Sequence, residues 1–265
     1  MKKVSIIMGV YNIPSSDILK KSINSILNQT YKNIEFIIID DGSTNDTFEW
    51  AKKFTSNDKR VILYRNKENQ GLTKTLNIAL KHATGDYIAR MDGDDFCELN
   101  RIEKQVKFLE DNKEYSLVAS NIKLFDEKGV WGERKNNEVI NKEDFLFTSP
   151  IPHPTILTYK WCFDKVNGYK EIWYTNRNED YDIFMRMFAN NIRMYVIQQD
   201  LYFYREDKTC YNKRKYKYRI CEFMVRLKGF YQLKLYPKAI PYVIKPLIVG
   251  LIPQKVLKKM RKNTI

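Results

Sequence analysis

The first 91 residues alternate between short apolar runs and amphipathic stretches, and this alternation leaves the chain few possible folds. The apolar runs are rich in β-branched residues, which is typical of buried strands, and they occupy residues 4–11, 34–40, 61–66 and 87–91. Segments with helical spacing lie between them, at residues 15–30, 44–54 and 71–83. Strand–helix alternation predicts a parallel, doubly wound α/β sheet, whose ligands bind at the carboxyl ends of its strands.

The alternation becomes less regular after residue 97. The patterns predict helices over 98–111 and 179–191 and further β-structure over 116–133, 155–160 and 193–206. The β-structure at 116–133 is expected to run into a hairpin. Beyond residue 207 basic and aromatic residues recur at helical spacing, so we predict a main domain over 1–207 and a helical extension over 208–265.

The basic charge of the chain belongs to this extension. The formal net charge is +14, yet residues 1–207 carry 30 Lys and Arg against 31 Asp and Glu. Residues 208–265 carry 16 Lys and Arg against Glu222 alone. Such a segment suits nucleic acid or an anionic membrane surface. A helical cap on the main domain, or a dimer interface, is the alternative interpretation.

Cysteine usage and hydropathy indicate a cytoplasmic protein. The four cysteines are widely spaced and form no CxxC pair, which favours reduced thiols over a disulfide framework or a zinc site: Cys97, Cys162, Cys210 and Cys221. The N-terminus lacks a signal-peptide cleavage site. No segment approaches the roughly 20 apolar residues of a membrane-spanning helix.

Three carboxylates crowd the end of the fourth apolar run, in "YIARMDGDD": Asp92, Asp94 and Asp95. Like charges raise one another's pKa, so a cation is expected nearby. Gly93 allows a tight turn between the first two carboxylates. Mg²⁺ or Mn²⁺ is commonly held by one or two carboxylates together with substrate phosphates. The alternative is a solvated acidic turn that caps the following helix.

Two further acidic pairs stand at element ends. Asp40 and Asp41, in "IIIDDGS", could accept hydrogen bonds from a ribose or a base, or could simply form a turn. Glu179 and Asp180 open a predicted helix, where a carboxylate either caps the helix or serves as a general base. His153 lies between prolines, and we expect it to be structural.

The ordered set of motifs resembles glycosyltransferase family 2, the inverting sugar-nucleotide enzymes of GT-A fold. The resemblance covers about residues 3–207 and rests on "VSIIMGVYN", "SILNQTYKNIEFIIIDDGSTNDT", "ENQGLTKTLNIALKHATGDYIARMDGDD", "RIEKQVKFL", "PIPHPTIL" and "NEDYDIFMRM". It implies a Rossmann-like mixed, mainly parallel sheet flanked by helices. It also implies transfer of a sugar from a nucleotide-sugar donor, a UDP-sugar, to an acceptor hydroxyl with formation of a β-linkage.

The resemblance implies roles for the nucleotide-binding positions. Tyr11 and Asp41 match residues that hold the uracil and ribose of a UDP-sugar, and Asn69 is a further candidate nearby.

The resemblance also implies the reacting groups. Asp94 matches the direct ligand of Mn²⁺ or Mg²⁺, and Asp92 matches the carboxylate that faces the donor. Asp180 matches the catalytic base, with Glu179 as second candidate. The family often has a histidine after "YR", and here Asp207 stands in its place.

The biological setting implied is bacterial surface polysaccharide synthesis. Relatives extend glycans carried on a lipid diphosphate, so residues 208–265 are expected to hold the enzyme at the inner face of the cell membrane, with homo-oligomers possible. Two other functions are open at this point: a metal-dependent nucleotidyltransferase, and a non-catalytic module whose basic extension binds nucleic acid. No nucleic-acid motif is recognisable, and we expect no nucleic-acid partner.

Overall fold

The computed structural model describes residues 1–206 and 215–252. The strands in these residues are β1 (Val4–Val10), β2 (Ile34–Asp40), β3 (Val61–Arg65), β4 (Tyr87–Asp92), β5 (Phe96–Cys97), β6 (Leu117–Asp126), β7 (Gly129–Arg134), β8 (Leu157–Tyr159) and β9 (Met194–Arg205). The α-helices are α1 (Ser16–Leu27), α2 (Thr47–Thr55), α3 (Leu72–His82), α4 (Arg101–Asp111), α5 (Lys160–Lys165), α6 (Glu179–Ala189), α7 (Tyr216–Gln232) and α8 (Ile240–Leu251).

One mixed sheet contains all of the described strands. Its order is β3-β2-β1-β4-β8-β6-β9-β5, with β7 paired to β6. The pairings of β1 with β2 and β4, and of β2 with β3, are parallel, as the alternation in the first 91 residues predicts. β8 is antiparallel to both β4 and β6, while β9 is parallel to β6. The carboxyl ends of β1, β2, β4, β6 and β9 therefore meet at one edge.

Helices cover both faces of the sheet, because most strands are apolar on both sides. On one face α1 and α4 pack against β1 and β4 through residues such as Leu19 and Val106. On the other face α3, α6 and α7 contribute Leu76, Phe184 and Val225 to a second apolar layer. The predicted GT-A-like α/β architecture with helices following the sheet is confirmed. No helix in the described ranges is long and apolar enough to cross a bilayer.

The structure differs from the prediction around residue 98. α4 begins at Arg101 rather than at 98, because Phe96 and Cys97 pair with β9 and form the short strand β5, which the sequence pattern did not predict. The strand predicted at 155–160 is shortened to β8. A 3₁₀ turn at His153–Thr155 precedes it, and it contains Pro154, which cannot donate to a ladder.

Candidate active site

The acidic "DGDD" segment lies at the central edge of the sheet. Asp92 is the last residue of β4, and its register partner on β1 is Gly9. Its carboxylate accepts two hydrogen bonds from the guanidinium of Arg90, at 2.6 and 3.2 Å. Side chains two residues apart in a strand share a face, which explains this bidentate ion pair. Arg90 is only 2% exposed.

The other two carboxylates of the segment differ in their surroundings. Burial, and then the charge of Asp92, raises the pKa of Asp94 to about 6. Asp95 is buried, and it accepts the backbone N–H of Arg205 at 2.7 Å, which ties the segment to β9. None of the three caps α4, whose N-cap is Asn100. The alternative of a capping acidic turn is therefore wrong.

These carboxylates fit a hard divalent cation. Their oxygens are the ligands that Mg²⁺ and Mn²⁺ prefer. Burial is the first cause of the raised pKa of Asp94 and the negative charge of Asp92 is the second, and a bound cation would offset that charge. Within residues 1–206 and 215–252 no group of three His, Cys, Asp or Glu side chains is placed to hold a metal by itself. In sites of this kind substrate phosphates and water commonly complete the coordination of the metal.

Two tyrosines of β9 extend over the acidic segment. The hydroxyl of Tyr202 accepts the backbone N–H of Asp92 at 3.1 Å. Tyr204 lies two residues further along the same strand, on the same face. Burial, and then the charges of Asp92 and its neighbours, raises the pKa of Tyr204. Both phenols are therefore neutral hydrogen-bonding groups beside the carboxylates.

The second acidic pair opens α6. The N-cap of this helix, Asn178, makes no side-chain capping bond. Burial raises the pKa of Asp180, while the N–H of Tyr181, the Arg90 guanidinium and the hydroxyl of Ser149 act in the opposite direction. Burial, followed by the charge of Asp180, raises the pKa of Glu179 to about 7. A carboxyl group with a raised pKa can take up a proton near neutral pH.

Arg90 joins the two acidic pairs into one site. Burial acts to lower the pKa of Arg90. The negative charges of Asp92 and Glu179 act to raise it, so the guanidinium stays charged. The charges at the strand end of β4 and in the first turn of α6 therefore act on the same buried cation.

The predicted nucleotide-binding residues lie on the neighbouring strand ends. Tyr11 follows β1 and is 45% exposed, so its ring is open to stacking. Asp41 follows β2 and is buried. One of its oxygens accepts from Asn66 at 2.8 Å and from the N–H of Gln70 at 2.9 Å, and the other accepts from the N–H of Gly71 at 2.8 Å. Asp41 thus holds the loop over residues 66–71.

The turn after β2 fits closely against that loop. Gly42 has φ +69, and a Cβ on it would lie 2.5 Å from the backbone carbon of Glu68. Asn69, in the same loop, is exposed. The loop, and with it Asn69, is therefore positioned by Asp41 and by the absence of a side chain at residue 42.

His153 is buried next to the site. Its Nε2 lies 2.7 Å from the hydroxyl of Tyr169, and its ring meets that of Phe184 edge to face. Burial, and then Arg90, holds its pKa well below the usual range. These contacts are consistent with the structural role that we expected.

The sequence analysis missed several residues at this site: Arg90, Ser149, Tyr202, Tyr204 and Arg205. A signal existed for Arg90 alone, because a charged residue in an apolar strand, two positions before a carboxylate, is unusual. The others come from distant segments, and only the fold brings them to the acidic groups. Asp207 lies outside the described residues.

Comparisons of sequence identify the family of the chain. The family model described as "Glycosyl transferase family 2" matches residues 5–168. The chain is 39% identical over 264 residues to the putative glycosyltransferase EpsE of Bacillus subtilis (strain 168), covering 99% of this chain and 94% of that protein. It is 33% identical over 240 residues to the uncharacterized glycosyltransferase MJ1057 of Methanocaldococcus jannaschii, covering 89% and 79%.

Solved structures share the fold. S. aureus TarS 1–349, in complex with UDP-GlcNAc, superposes with a TM-score of 0.72 at 17% identity, covering 92% of this chain and 73% of TarS 1–349. The mannosyltransferase PcManGT from Pyrobaculum calidifontis, in complex with GDP-Man and Mn²⁺, superposes with a TM-score of 0.64 at 16% identity, covering 99% and 80%. With the family model and these relatives, the chain belongs to glycosyltransferase family 2.

Proposed function

We propose that this glycosyltransferase transfers a sugar from a UDP-sugar to an acceptor hydroxyl, with inversion at the anomeric carbon. The observation that carries the proposal is the arrangement around Arg90. This buried guanidinium binds Asp92 at the end of β4, and its charge also acts on the Glu179–Asp180 pair at the start of α6. The arrangement supports a diphosphate site and a base that share one buried cation.

Asp180 is the proposed base. It takes the proton of the acceptor hydroxyl as the oxygen attacks the anomeric carbon and the bond from that carbon to the diphosphate breaks. Proton transfer by a positioned carboxylate contributes about 10²–10⁴-fold to the rate of such reactions. The single in-line displacement turns an α-linked donor into a β-linked product. Glu179, whose pKa is about 7, is the second candidate.

Asp94 is the proposed metal ligand, with Asp92 facing the donor. The ion pair with Arg90 engages Asp92, so Asp94 is the freer of the two to bind a cation. Bound Mn²⁺ or Mg²⁺ would offset the charge that develops on the departing diphosphate. The Mn²⁺ complex of PcManGT supports the use of a divalent metal.

The donor is held over the ends of β1 and β2. Tyr11 stacks on the uracil, and Asp41 and Asn69 provide the polar side of that subsite. The donor sugar is proposed to be a hexose or an N-acetylhexosamine. Support comes from TarS, solved with UDP-GlcNAc, and from PcManGT, solved with GDP-Man.

The proposed acceptor is a hydroxyl of a glycan or of a lipid-linked oligosaccharide in bacterial surface polysaccharide synthesis, capsule included. The catalytic domain would span residues 1–207. The extension over 208–265 would hold the enzyme peripherally at the cytoplasmic face of the membrane. Its strongly basic composition supports this assignment.

A panel of nucleotide sugars tests the proposal. Purified protein with Mn²⁺ is incubated with UDP-sugars and GDP-mannose, and slow donor hydrolysis is followed by release of the nucleoside diphosphate. We expect UDP release from one donor, with strong loss in Asp94→Asn. Pyrophosphate release from a nucleoside triphosphate would instead indicate a nucleotidyltransferase. Absence of both nucleotide-sugar turnover and UDP binding would refute the proposal.

A further inference from the structure

The last described helix, α8, leaves most of its apolar surface in water. Within "IPYVIKPLIVGL" only Val243 and Pro246 are buried. Four large apolar side chains recur at helical spacing and are 43–74% exposed: Ile240, Ile244, Ile248 and Leu251. Residues at spacings of four, four and three share one helix face. We call these four residues the α8 stripe.

The neighbouring helix α7 carries a similar row. Its exposed apolar residues are Tyr216, Ile220, Leu227 and Tyr231, with Tyr231 77% exposed. α7 and α8 pack against each other, so that a Cβ on Gly250 would lie 2.8 Å from the ring of Tyr216. Both helices therefore carry rows of exposed apolar side chains, and Tyr216 of the α7 row lies against the end of α8. Exposed apolar patches of this kind mark interaction sites.

The charges around this surface favour an anionic partner. Six exposed lysines lie in the two helices, at the start of α7 or in the connection between them: Lys215, Lys217, Lys228, Lys234, Lys238 and Lys245. The single acid of residues 208–265, Glu222, accepts bonds from Arg219 and Arg226 at 3.2 and 3.0 Å. Five further Lys and Arg follow α8 within residues 253–265. A symmetric dimer through this surface would bring two strongly positive segments together, which is unfavourable.

This helix pair also anchors a loop that borders the proposed base. The guanidinium of Arg226 donates to the carbonyl oxygens of Leu146 and Phe147 at 2.8 and 3.0 Å. The ring of Phe147 meets Tyr242 of α8 edge to face. The guanidinium of Arg226 also lies 5.3 Å from the ring centre of Tyr181, the residue that follows Asp180 in α6. Asp180 thus lies next to the helix pair.

We propose that α8 docks in the headgroup region of an anionic bilayer, with the α8 stripe in the acyl boundary and the flanking lysines on lipid phosphates. A 12-residue helix is about 18 Å long, too short to span a bilayer but suited to lie in its interface. In this orientation the side of Asp180 from which the acceptor hydroxyl would approach faces the membrane. The docking itself rests on the α8 surface alone. The orientation of Asp180 toward the membrane rests on the proposed function.

Vesicle co-sedimentation of the full chain tests the docking. Wild type is compared with Ile244→Glu/Ile248→Glu on vesicles of phosphatidylcholine alone and of phosphatidylcholine with phosphatidylglycerol. We expect wild type to bind the anionic vesicles, and the double variant to bind them at least about tenfold more weakly, since two large apolar side chains lose their burial. Lys238→Gln/Lys245→Gln should also weaken binding to anionic vesicles.

The matched control is Leu99→Glu/Val130→Glu. Both residues are large, apolar and about half exposed, at 51% and 56%, but they lie outside α7 and α8. This variant should bind anionic vesicles as wild type does. UDP release in solution, without vesicles, should be the same in wild type and in all three double variants, which shows that each is folded.

Three results would overturn the docking: equal vesicle binding by wild type and Ile244→Glu/Ile248→Glu, equal binding to neutral and anionic vesicles, or a wild-type dimer that the double variant dissociates. The last result, seen by light scattering, would assign the surface to a second copy of the chain. Failure of the proposed function looks different. In that case Asp180→Asn would release UDP as fast as wild type, whatever the vesicles show.

Discussion

Arg90 is the residue on which the electrostatics of the site depend. It is buried, it binds Asp92 with two hydrogen bonds, and it acts on the Glu179–Asp180 pair. Its charge opposes the rise that burial causes in the pKa of Glu179 and of Asp180. Its Nε has no hydrogen-bond partner among the described residues, so the guanidinium is held mainly by its carboxylates and the surrounding fold.

We predict that Arg90→Met lowers kcat for UDP release by at least about tenfold and shifts its pH dependence. The base must be deprotonated, so kcat rises with pH through the pKa of the Glu179–Asp180 pair. Burial already raises that pKa, and Arg90 opposes the rise. Removing the cation raises the pKa further, so the rising limb of the pH profile moves to higher pH by on the order of one unit.

The control for this variant is Arg186→Met. Arg186 is also buried, and it also bonds a carboxylate, with its Nε 2.7 Å from Asp182. Both variants should lower the free energy of unfolding, because each removes a buried guanidinium and its hydrogen bonds to a carboxylate. Only Arg90→Met should shift the rising limb of the pH profile of kcat to higher pH. An identical pH profile in wild type and Arg90→Met would show that Arg90 is purely structural.

The turn after β2 and the loop over residues 66–71 act as one element. Asp41 binds the backbone of the loop, and Gly42 lets the two segments touch. We predict that Gly42→Ala weakens UDP binding severalfold, because its Cβ would displace the backbone at Glu68 and Asn69. Isothermal calorimetry with UDP and Mn²⁺ measures the effect.

Gly129→Ala provides the matched comparison. Gly129 also has a positive φ, at +117, but a Cβ there would meet nothing within 4 Å. Both substitutions introduce backbone strain of about 1–2 kcal/mol, seen as a lower free energy of unfolding. UDP affinity should fall in Gly42→Ala alone. Equal UDP affinities in the two variants would show that the loop does not contribute to nucleotide binding.

Elements with strong periodicity could be predicted from the sequence, and short ones could not. The runs that became β1, β2, β3 and β4 end within a residue of their predicted bounds. β5 has two residues, too few for any period, and it exists because β9 offers a partner. The acidic residues of the site could be predicted because they follow strand or helix ends. The contacts that Arg90, Ser149 and Tyr202 make there depend on tertiary structure.

The distribution of charge differs between the two parts of the chain. Residues 1–207 are nearly neutral and gather carboxylates at one sheet edge, while the basic charge is confined to 208–265. α7 nevertheless shares a core with α6 through Val225 and Phe230. The helix pair is thus attached next to the element that carries Asp180.

The most direct test of this account measures UDP affinity and UDP release side by side in Asp180→Asn. Asp182→Asn, two residues further along α6, serves as the control, because the Asp182 carboxylate forms an ion pair with Arg186. We predict that Asp180→Asn keeps wild-type affinity for UDP with Mn²⁺ while UDP release falls at least about hundredfold. Asp182→Asn should retain both properties. Undiminished release in Asp180→Asn, or loss of nucleotide affinity together with release, would contradict the assignment of Asp180 as the base.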